Sequence, residues 1–281
     1  EFEQLHQLLR NMRSRGTAIL YVSHRLDEVE RIVDEVTILR GGCVVSAAGE
    51  TDINVSEIVS AMVGSDVGEH YPKENNTTGE VVLRASGLKT KSGVADATFD
   101  LKRGEVLGLG GVLGSGRTEI ARALFGVDAL IAGSVELGGS AVKFRNEMEA
   151  IKAGVALVPE NRKTDGLFFN FRASGNITAA SLAEISSLGI LDLASESAGT
   201  ERLMEELEIS AQAEAKTVNF LSGGNQQKIV IARWLFADAQ VLILDEPTQG
   251  IDIGAKIAVY KLMNALTKAG KSIILISSDH D

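Results

Sequence analysis

Three short segments of this chain place anion- or metal-oriented groups next to apolar runs. The first is Gly111-Val112-Leu113-Gly114-Ser115-Gly116-Arg117-Thr118. It fits the spacing G-x-x-x-x-G-[K/R]-[S/T]. It follows an apolar strand-like run, 105–110, and opens a periodic helix through Ile120, Ala123 and Leu124. Glycines let successive backbone N–H groups turn inward around phosphate oxygens, and the helix N-terminus adds partial positive charge. Gly111, Gly114, Ser115, Gly116, Arg117 and Thr118 are therefore candidate phosphate contacts, with Thr118 placed to ligate Mg²⁺. Position 117 departs from the pattern, which asks for Lys. Arg keeps the charge but is planar and larger, so the exchange is not conservative at a close phosphate contact. A glycine-rich turn without a ligand is the plain alternative.

The second segment is Val241-Leu242-Ile243-Leu244-Asp245-Glu246-Pro247-Thr248, a buried strand ending in two carboxylates. Asp245 can hold Mg²⁺ through water, and Glu246 can polarise an attacking water as general base. A strand ending in a solvated acidic turn fits the same residues. The third is Leu221-Ser222-Gly223-Gly224-Asn225-Gln226-Gln227-Lys228, leading into a helix through Ile229, Ile231, Ala232 and Leu235. Ser222 is a good N-cap, and the glycines leave room for an anion to reach N–H groups. A plain helix cap is the simpler reading of this segment alone. The order of the three segments argues for a shared phosphate chemistry.

The elements that must position them alternate between strands and helices, as in an α/β domain. Strand-like runs cover 36–39, 81–84, 105–110, 155–158, 241–244 and 273–277. Helix-like runs cover 54–63, 117–125, 199–207, 225–236 and 255–268. Residues 172–216, rich in Ala, Ser and Glu, read as a helical insert. The polar stretch from Tyr71 to Gly79 reads as a linker between domains. The two ends resemble each other: Thr17 to His24 and Ser272 to Asp279 are both strand-like runs after amphipathic helices, 1–14 and 255–268, with Ser23 aligned to Ser278. A long-period duplication is the simplest account.

Composition narrows the function class. The chain has 281 residues and a formal net charge of -10. Net acidity disfavours a nucleic-acid surface, which needs Lys and Arg against phosphates. The lone cysteine, Cys43, excludes an intramolecular disulfide and a Cys-based zinc site; its apolar neighbours read as packing. No stretch approaches ~18 uninterrupted apolar residues, so a transport role would act through a membrane partner. The first residues are no signal peptide. The chain opens without Met, inside an amphipathic pattern of Phe2, Leu5, Leu8, Leu9 and Met12, and reads as a fragment. Trp234 reads as packing.

With these segments in place, the chain resembles the ATP-binding-cassette (ABC) ATPases almost continuously over 80–281. LSGGNQQ at 221–227 is similar to the ABC signature, and LILDEPTQGID at 242–252 is similar to Walker B plus D-loop. GVLGSGRTE at 111–119 and LVPENRKTDGL at 157–167 resemble the second cassette of tandem sugar-import ATPases of the ribose, galactose and xylose type. YVSHRLDEV at 21–29 is similar to the switch region of a first cassette. The resemblance implies a P-loop NTPase core with a parallel-rich sheet, an antiparallel β subdomain and a helical signature subdomain at about 165–236. It implies that 1–70 is the C-terminal part of one cassette, 71–79 a linker, and 80–281 a second cassette truncated after its switch region.

It also implies ATP and Mg²⁺ as cofactors and two cassettes closing head to tail on ATP. One site would use Gly111 to Thr118, Glu119, Glu160, Asp245, Glu246 and Asp279. The other would use His24 and the missing part of the first cassette, completed by Ser222, Gly223, Gly224 and Gln226. Asp252 would lie on the D-loop. Glu160 stands where many cassettes carry Gln, and would approach Mg²⁺ with Thr118 and Asp245. Arg117 in place of Lys, and Asp279 in place of His, mark the first site as degenerate. The implied partners are integral-membrane permease subunits and, indirectly, a periplasmic or extracellular sugar-binding protein, with no nucleic acid. The implied location is peripheral, on the cytoplasmic face of the plasma (inner) membrane. A tandem ABC ATPase of translation or DNA repair, and a nucleotide-binding module that hydrolyses nothing, remain as rival readings.

Overall fold

Apolar runs that end on carboxylates or glycines become the parallel strands that carry the site. The structure, a computed structural model, describes residues 2–23, 29, 31–40, 42–49, 55–63, 74–112 and 114–278. The chain divides into two compact units, Glu1–His70 with Asp252–Gly254, and Tyr71–Ile251 with Ala255–Asp281.

The first unit opens with helix α1 (Phe2–Ser14). A two-stranded antiparallel ribbon follows, β1 (Glu35–Arg40) and β2 (Cys43–Gly49), and then helix α2 (Val55–Val63). Ile38 of β1 and Ile58 and Val59 of α2 are buried, and Arg40 Nη1 donates to the Ala61 carbonyl at 3.3 Å. Two sequence expectations are corrected in this unit. Cys43 is exposed, because a two-stranded ribbon leaves one face uncovered. Residues 17–23 form no strand: Leu20 is 94% and Val22 88% exposed. A β run needs neighbours for its N–H and C=O groups, and among the described residues of this unit the only ladder is β1 with β2.

The second unit begins with β3 (Val81–Thr90), β4 (Ala97–Lys102) and β5 (Val106–Leu109). Helix α3 (Arg117–Leu124), β6 (Leu130–Leu137), β7 (Ser140–Val142), helix α4 (Glu147–Lys152) and β8 (Val155–Val158) follow. Helix α5 (Ala173–Thr178) leads to a short hairpin, β9 (Ser186–Ser187) and β10 (Ile190–Leu191). Helices α6 (Leu193–Glu206) and α7 (Gln212–Ala215) complete this insert, which is therefore not all helix, and α8 (Gly223–Phe236) follows it. The chain then runs through β11 (Val241–Asp245), α9 (Ile253–Lys268) and β12 (Ser272–Ile276).

Four strands form a parallel sheet in the order β5-β12-β11-β8. All five residues of β11 are buried, which explains its unbroken apolar run: both faces of a parallel sheet are covered. The register sets Asp245 beside Ile276, Ile276 beside Leu109, and Leu244 beside Val158. The residues that follow these strands therefore share one sheet edge, where α/β proteins place ligands. A second, antiparallel sheet has the order β4-β3-β6-β7. The sequence reading found β3, at 81–84, and missed β4, β6 and β7, which are short or carry polar residues on their open face.

Asn176 of α5 is fully buried and holds the helical insert to α8. Its Nδ2 donates to the carbonyls of Phe168 and Arg172, and its Oδ1 accepts from Phe168 N at 2.8 Å and Arg233 Nη2 at 3.2 Å. Burial lowers the Arg233 pKa to about 10. Trp234 packs edge-on against Phe125 with ring centroids 5.6 Å apart, as a packing residue should.

Candidate functional site

The phosphate loop leaves β5 and enters α3 through Gly116, whose φ of 95° is left-handed. Gly116 thereby turns the chain sharply into the helix, a conformation that side chains disfavour. At Gly111 the constraint is space. A Cβ there would lie 2.5 Å from Ser115 Oγ and 3.5 Å from the Arg117 Cδ. The cradle therefore closes on itself where a side chain would stand. Gly114 and Ser115 are exposed, and Glu119 sits half-buried on the first turn of α3. Leu113 lies outside the described residues.

Asp245, at the end of β11, is 2% exposed and lies close to the Thr118 hydroxyl. Burial raises its pKa to about 6, helped by the nearby charges of Glu160 and Glu246 and opposed by Thr118 and Arg117. Its Oδ1 has no hydrogen-bond partner. A buried carboxylate with one open oxygen beside a threonine hydroxyl fits a hard cation that takes oxygen ligands and keeps several waters. Among the described residues no three His, Cys, Asp or Glu side chains converge as a metal cluster.

Glu246 follows directly, in the left-handed region at φ 46°. Its N–H donates to the Ile276 carbonyl at 2.9 Å, and its carbonyl accepts from Gln249 N at 3.0 Å. The turn swings the side chain toward α3, where Arg117 Nη2 stands 3.8 Å from Oε1. Arg117 Nη1 donates to the Ser277 carbonyl at 2.7 Å. The cation read as a phosphate ligand thus faces the candidate base and the end of β12. Glu160, on the loop after β8, is exposed and accepts from Gln249 Nε2 at 3.4 Å.

The signature residues gather elsewhere. Ser222 caps α8, its Oγ accepting from Asn225 N at 3.4 Å and Asn225 Nδ2 at 3.0 Å. A Cβ on Gly224 would stand 2.7 Å from the Ala255 Cβ, so this glycine admits α9. Gln226 departs from its reading as a nucleotide contact. It is buried, and its Nε2 donates to the carbonyls of Val218 at 3.0 Å and Leu221 at 3.3 Å. An amide spent on internal carbonyls braces the approach to α8. Asp252 is exposed just before α9. His24 and Asp279 lie outside the described residues.

Arg162 and Gln249 were missed. Arg162 sits within Glu160-Asn161-Arg162-Lys163-Thr164-Asp165, a charge run of the kind that ordinarily faces solvent. The one available signal was its place three residues past Pro159, inside a segment that resembles a known motif.

The model of the ABC transporter family matches residues 94–249, from before the phosphate loop to beyond the carboxylate pair. The chain belongs to the ABC transporter family. This ABC cassette resembles solved cassettes in fold. A nucleotide-free ATP-binding cassette from an ABC transporter superposes with TM-score 0.60 at 17% identity, covering 70% of this chain and 81% of that one. The dimeric bacterial cassette MJ0796 gives TM-score 0.60 at 19% identity, over 70% and 88%. The fold is thus the α/β P-loop architecture of ABC ATPases, with parallel and antiparallel sheets and a helical insert.

In sequence, the cassette is 43% identical over 278 residues to the ribose import ATP-binding protein RbsA 3 of Rubrobacter xylanophilus, covering 99% of this chain and 56% of that protein. It is 44% identical over 282 residues to a putative ribose/galactose/methyl galactoside import ATP-binding protein 1 of Burkholderia ambifaria, covering 99% and 54%. The chain spans about half the length of the curated relatives it matches.

Proposed function

We propose that this chain is the second cassette, with the C-terminal part of a first, of a tandem subunit that hydrolyses ATP to energise monosaccharide import through a membrane permease. Residues 1–70 belong to the first cassette, 71–79 link, and 80–281 form the second. The observation that carries the reading is the convergence of Thr118, Arg117, Asp245 and Glu246 at one sheet edge. The names of the sugar-import relatives support the transport role and its ribose- or galactose-like substrate class. The bare segment 17–23 supports the tandem reading. By the internal repeat it corresponds to β12, which lies between two parallel neighbours, and such neighbours would come from the first cassette.

In this proposal the loop N–H groups from Gly111 to Thr118 bind phosphate oxygens. Thr118 and Asp245, with Glu160 nearby, would hold Mg²⁺, which when bound neutralises phosphate charge. The Glu246 carboxylate accepts the proton of the attacking water. ATP bridges the phosphate loop of one cassette and the signature of the other, so it favours the closed state and shifts the population. The second site uses His24 and the first cassette's phosphate loop, completed by Ser222 and Gly224. Arg117 and Asp279 make the first site degenerate, so most turnover belongs to the second. Among the described residues no helix is long and apolar enough to cross a membrane, which fits a peripheral subunit docked on the cytoplasmic face of its permease.

The test is phosphate release by the full-length protein with its permease, ATP and Mg²⁺. Stimulation by a sugar-loaded binding protein is the expected result. Hydrolysis indifferent to permease and sugar points to a non-transport ATPase. Absence of release points to a binding module.

A further inference from the structure

Arg162 is a cation that is only 9% exposed, and the groups that accept its hydrogen bonds are neutral. Nη1 donates to the Gln249 carbonyl at 2.7 Å, Nη2 to the Gly250 carbonyl at 3.0 Å, and Nε to Gln226 Oε1 at 3.5 Å. Burial lowers its pKa. Taking a charge out of water is costly unless its hydrogen bonds are well made. The planar guanidinium makes such bonds in several fixed directions at once, which an ammonium does not.

The three bonds reach three separate segments. Arg162 itself opens the tight turn Arg162–Gly166 on the loop that carries Glu160. Gln249 and Gly250 belong to the turn after Asp245 and Glu246. Gln226 lies on the first turns of α8 and holds the carbonyls of Val218 and Leu221, which lead into Ser222. A second link runs parallel to the first, from Gln249 Nε2 to Glu160 Oε1 at 3.4 Å. Gly223 completes the seat. A Cβ there would stand 2.9 Å from Arg162 Nη2 and 3.1 Å from the Gly250 carbonyl. The first glycine of the signature is therefore needed by the guanidinium as well as by any anion.

We propose that Arg162 is a positioning residue that clamps the Glu160 loop, the turn after the carboxylate pair and the N-terminus of α8 into one piece. Displacement of any one segment then displaces the others. Glu160 and Glu246 serve this cassette's own phosphate loop, whereas Ser222 is presented to the opposite one. The clamp thus couples the two ATP sites through a single cassette. The clamp rests on geometry alone, and only its kinetic consequence rests on the ATPase reading above.

The experiment compares Arg162→Met, Arg162→Lys and Gly223→Ala in the full-length protein. Amide hydrogen exchange reads the clamp, and steady-state ATP hydrolysis reads its consequence. Arg162→Met should speed exchange about tenfold at 222–226 and at 249–251 together, with the core strand 241–245 unchanged. It should lower kcat about tenfold with KM for ATP within about twofold. Arg162→Lys keeps the charge without the fork and should not restore slow exchange. Gly223→Ala displaces the guanidinium without removing it, so it should give the same pattern and add little to Arg162→Met in the double variant. If Arg162→Met fails to fold, Gly223→Ala alone still decides. Unchanged exchange at either segment, or restoration by Lys, overturns the clamp. If the unaltered protein releases no phosphate, the ATPase reading fails while the exchange result still judges Arg162.

Discussion

Arg117 Nη2 stands 3.8 Å from Glu246 Oε1, and both side chains are largely buried, at 11% and 9% exposure. The same guanidinium is anchored on the Ser277 carbonyl at 2.7 Å. The phosphate-loop cation therefore serves the turn after β11 and the end of β12. Removing it would leave Glu246 near Asp245 without this ion pair. Arg117→Met should destabilise the chain at pH 8 by about 1–2 kcal/mol, and Glu246→Gln in the same molecule should recover most of that loss. Urea unfolding of the four members of the cycle measures the coupling. Additive losses would show that the two groups do not interact.

Asp245 supplies a pH test. Its folded pKa is raised to about 6, so ionisation is easier in the unfolded chain. Without Mg²⁺, its charge then costs folding stability in full above pH 6. The cost shrinks as pH falls and vanishes below the unfolded carboxylate range. The penalty is up to about 3 kcal/mol. Asp245→Asn should therefore raise Tm at pH 8 by several degrees and leave it unchanged near pH 3. Thermal unfolding at both pH values reads this directly, and an equal shift at both would refute the assignment.

Gly111 tests the phosphate cradle. A Cβ at this position meets Ser115 Oγ at 2.5 Å and Ser115 Cβ at 3.2 Å, so Ser115 must shift within the loop. Gly111→Ala should weaken binding of a fluorescent ATP analogue at least tenfold while moving Tm by less than about 3 °C, since the loop contributes little to the core. Unchanged affinity would mean that the loop does not hold the nucleotide.

The carboxylate strand was readable because five buried residues leave a continuous apolar signal that stops on Asp245. The phosphate loop was readable because its glycines are demanded by sterics within a few residues. Arg162 was not, because its role depends on carbonyls about ninety positions away, and a charge run gives no sign of burial. Gln226 misled for the opposite reason: a polar residue at a helix start looks available, and only its neighbours reveal that its amide is spent. Cys43 and 17–23 failed because apolar runs announce a need for partners without saying whether this chain contains them.

Those exposed residues yield their own prediction. Leu20 is 94% exposed here. Leu20→Ser should therefore leave the Tm of this chain unchanged and improve its solubility. In the full-length protein, where the proposed neighbours cover the segment, the same change should cost about 2–4 kcal/mol. Equal, negligible effects in both would sink the tandem assignment of residues 1–70.

The division of labour between two unlike ATP sites is tested most directly by Ser222 against Arg117. In the full-length protein with its permease, Ser222→Arg should lower steady-state ATP hydrolysis at least tenfold, because it blocks the site that turns over. Arg117→Ala should lower it by less than about threefold, because its own site hydrolyses little. Equal losses from the two substitutions would contradict the account.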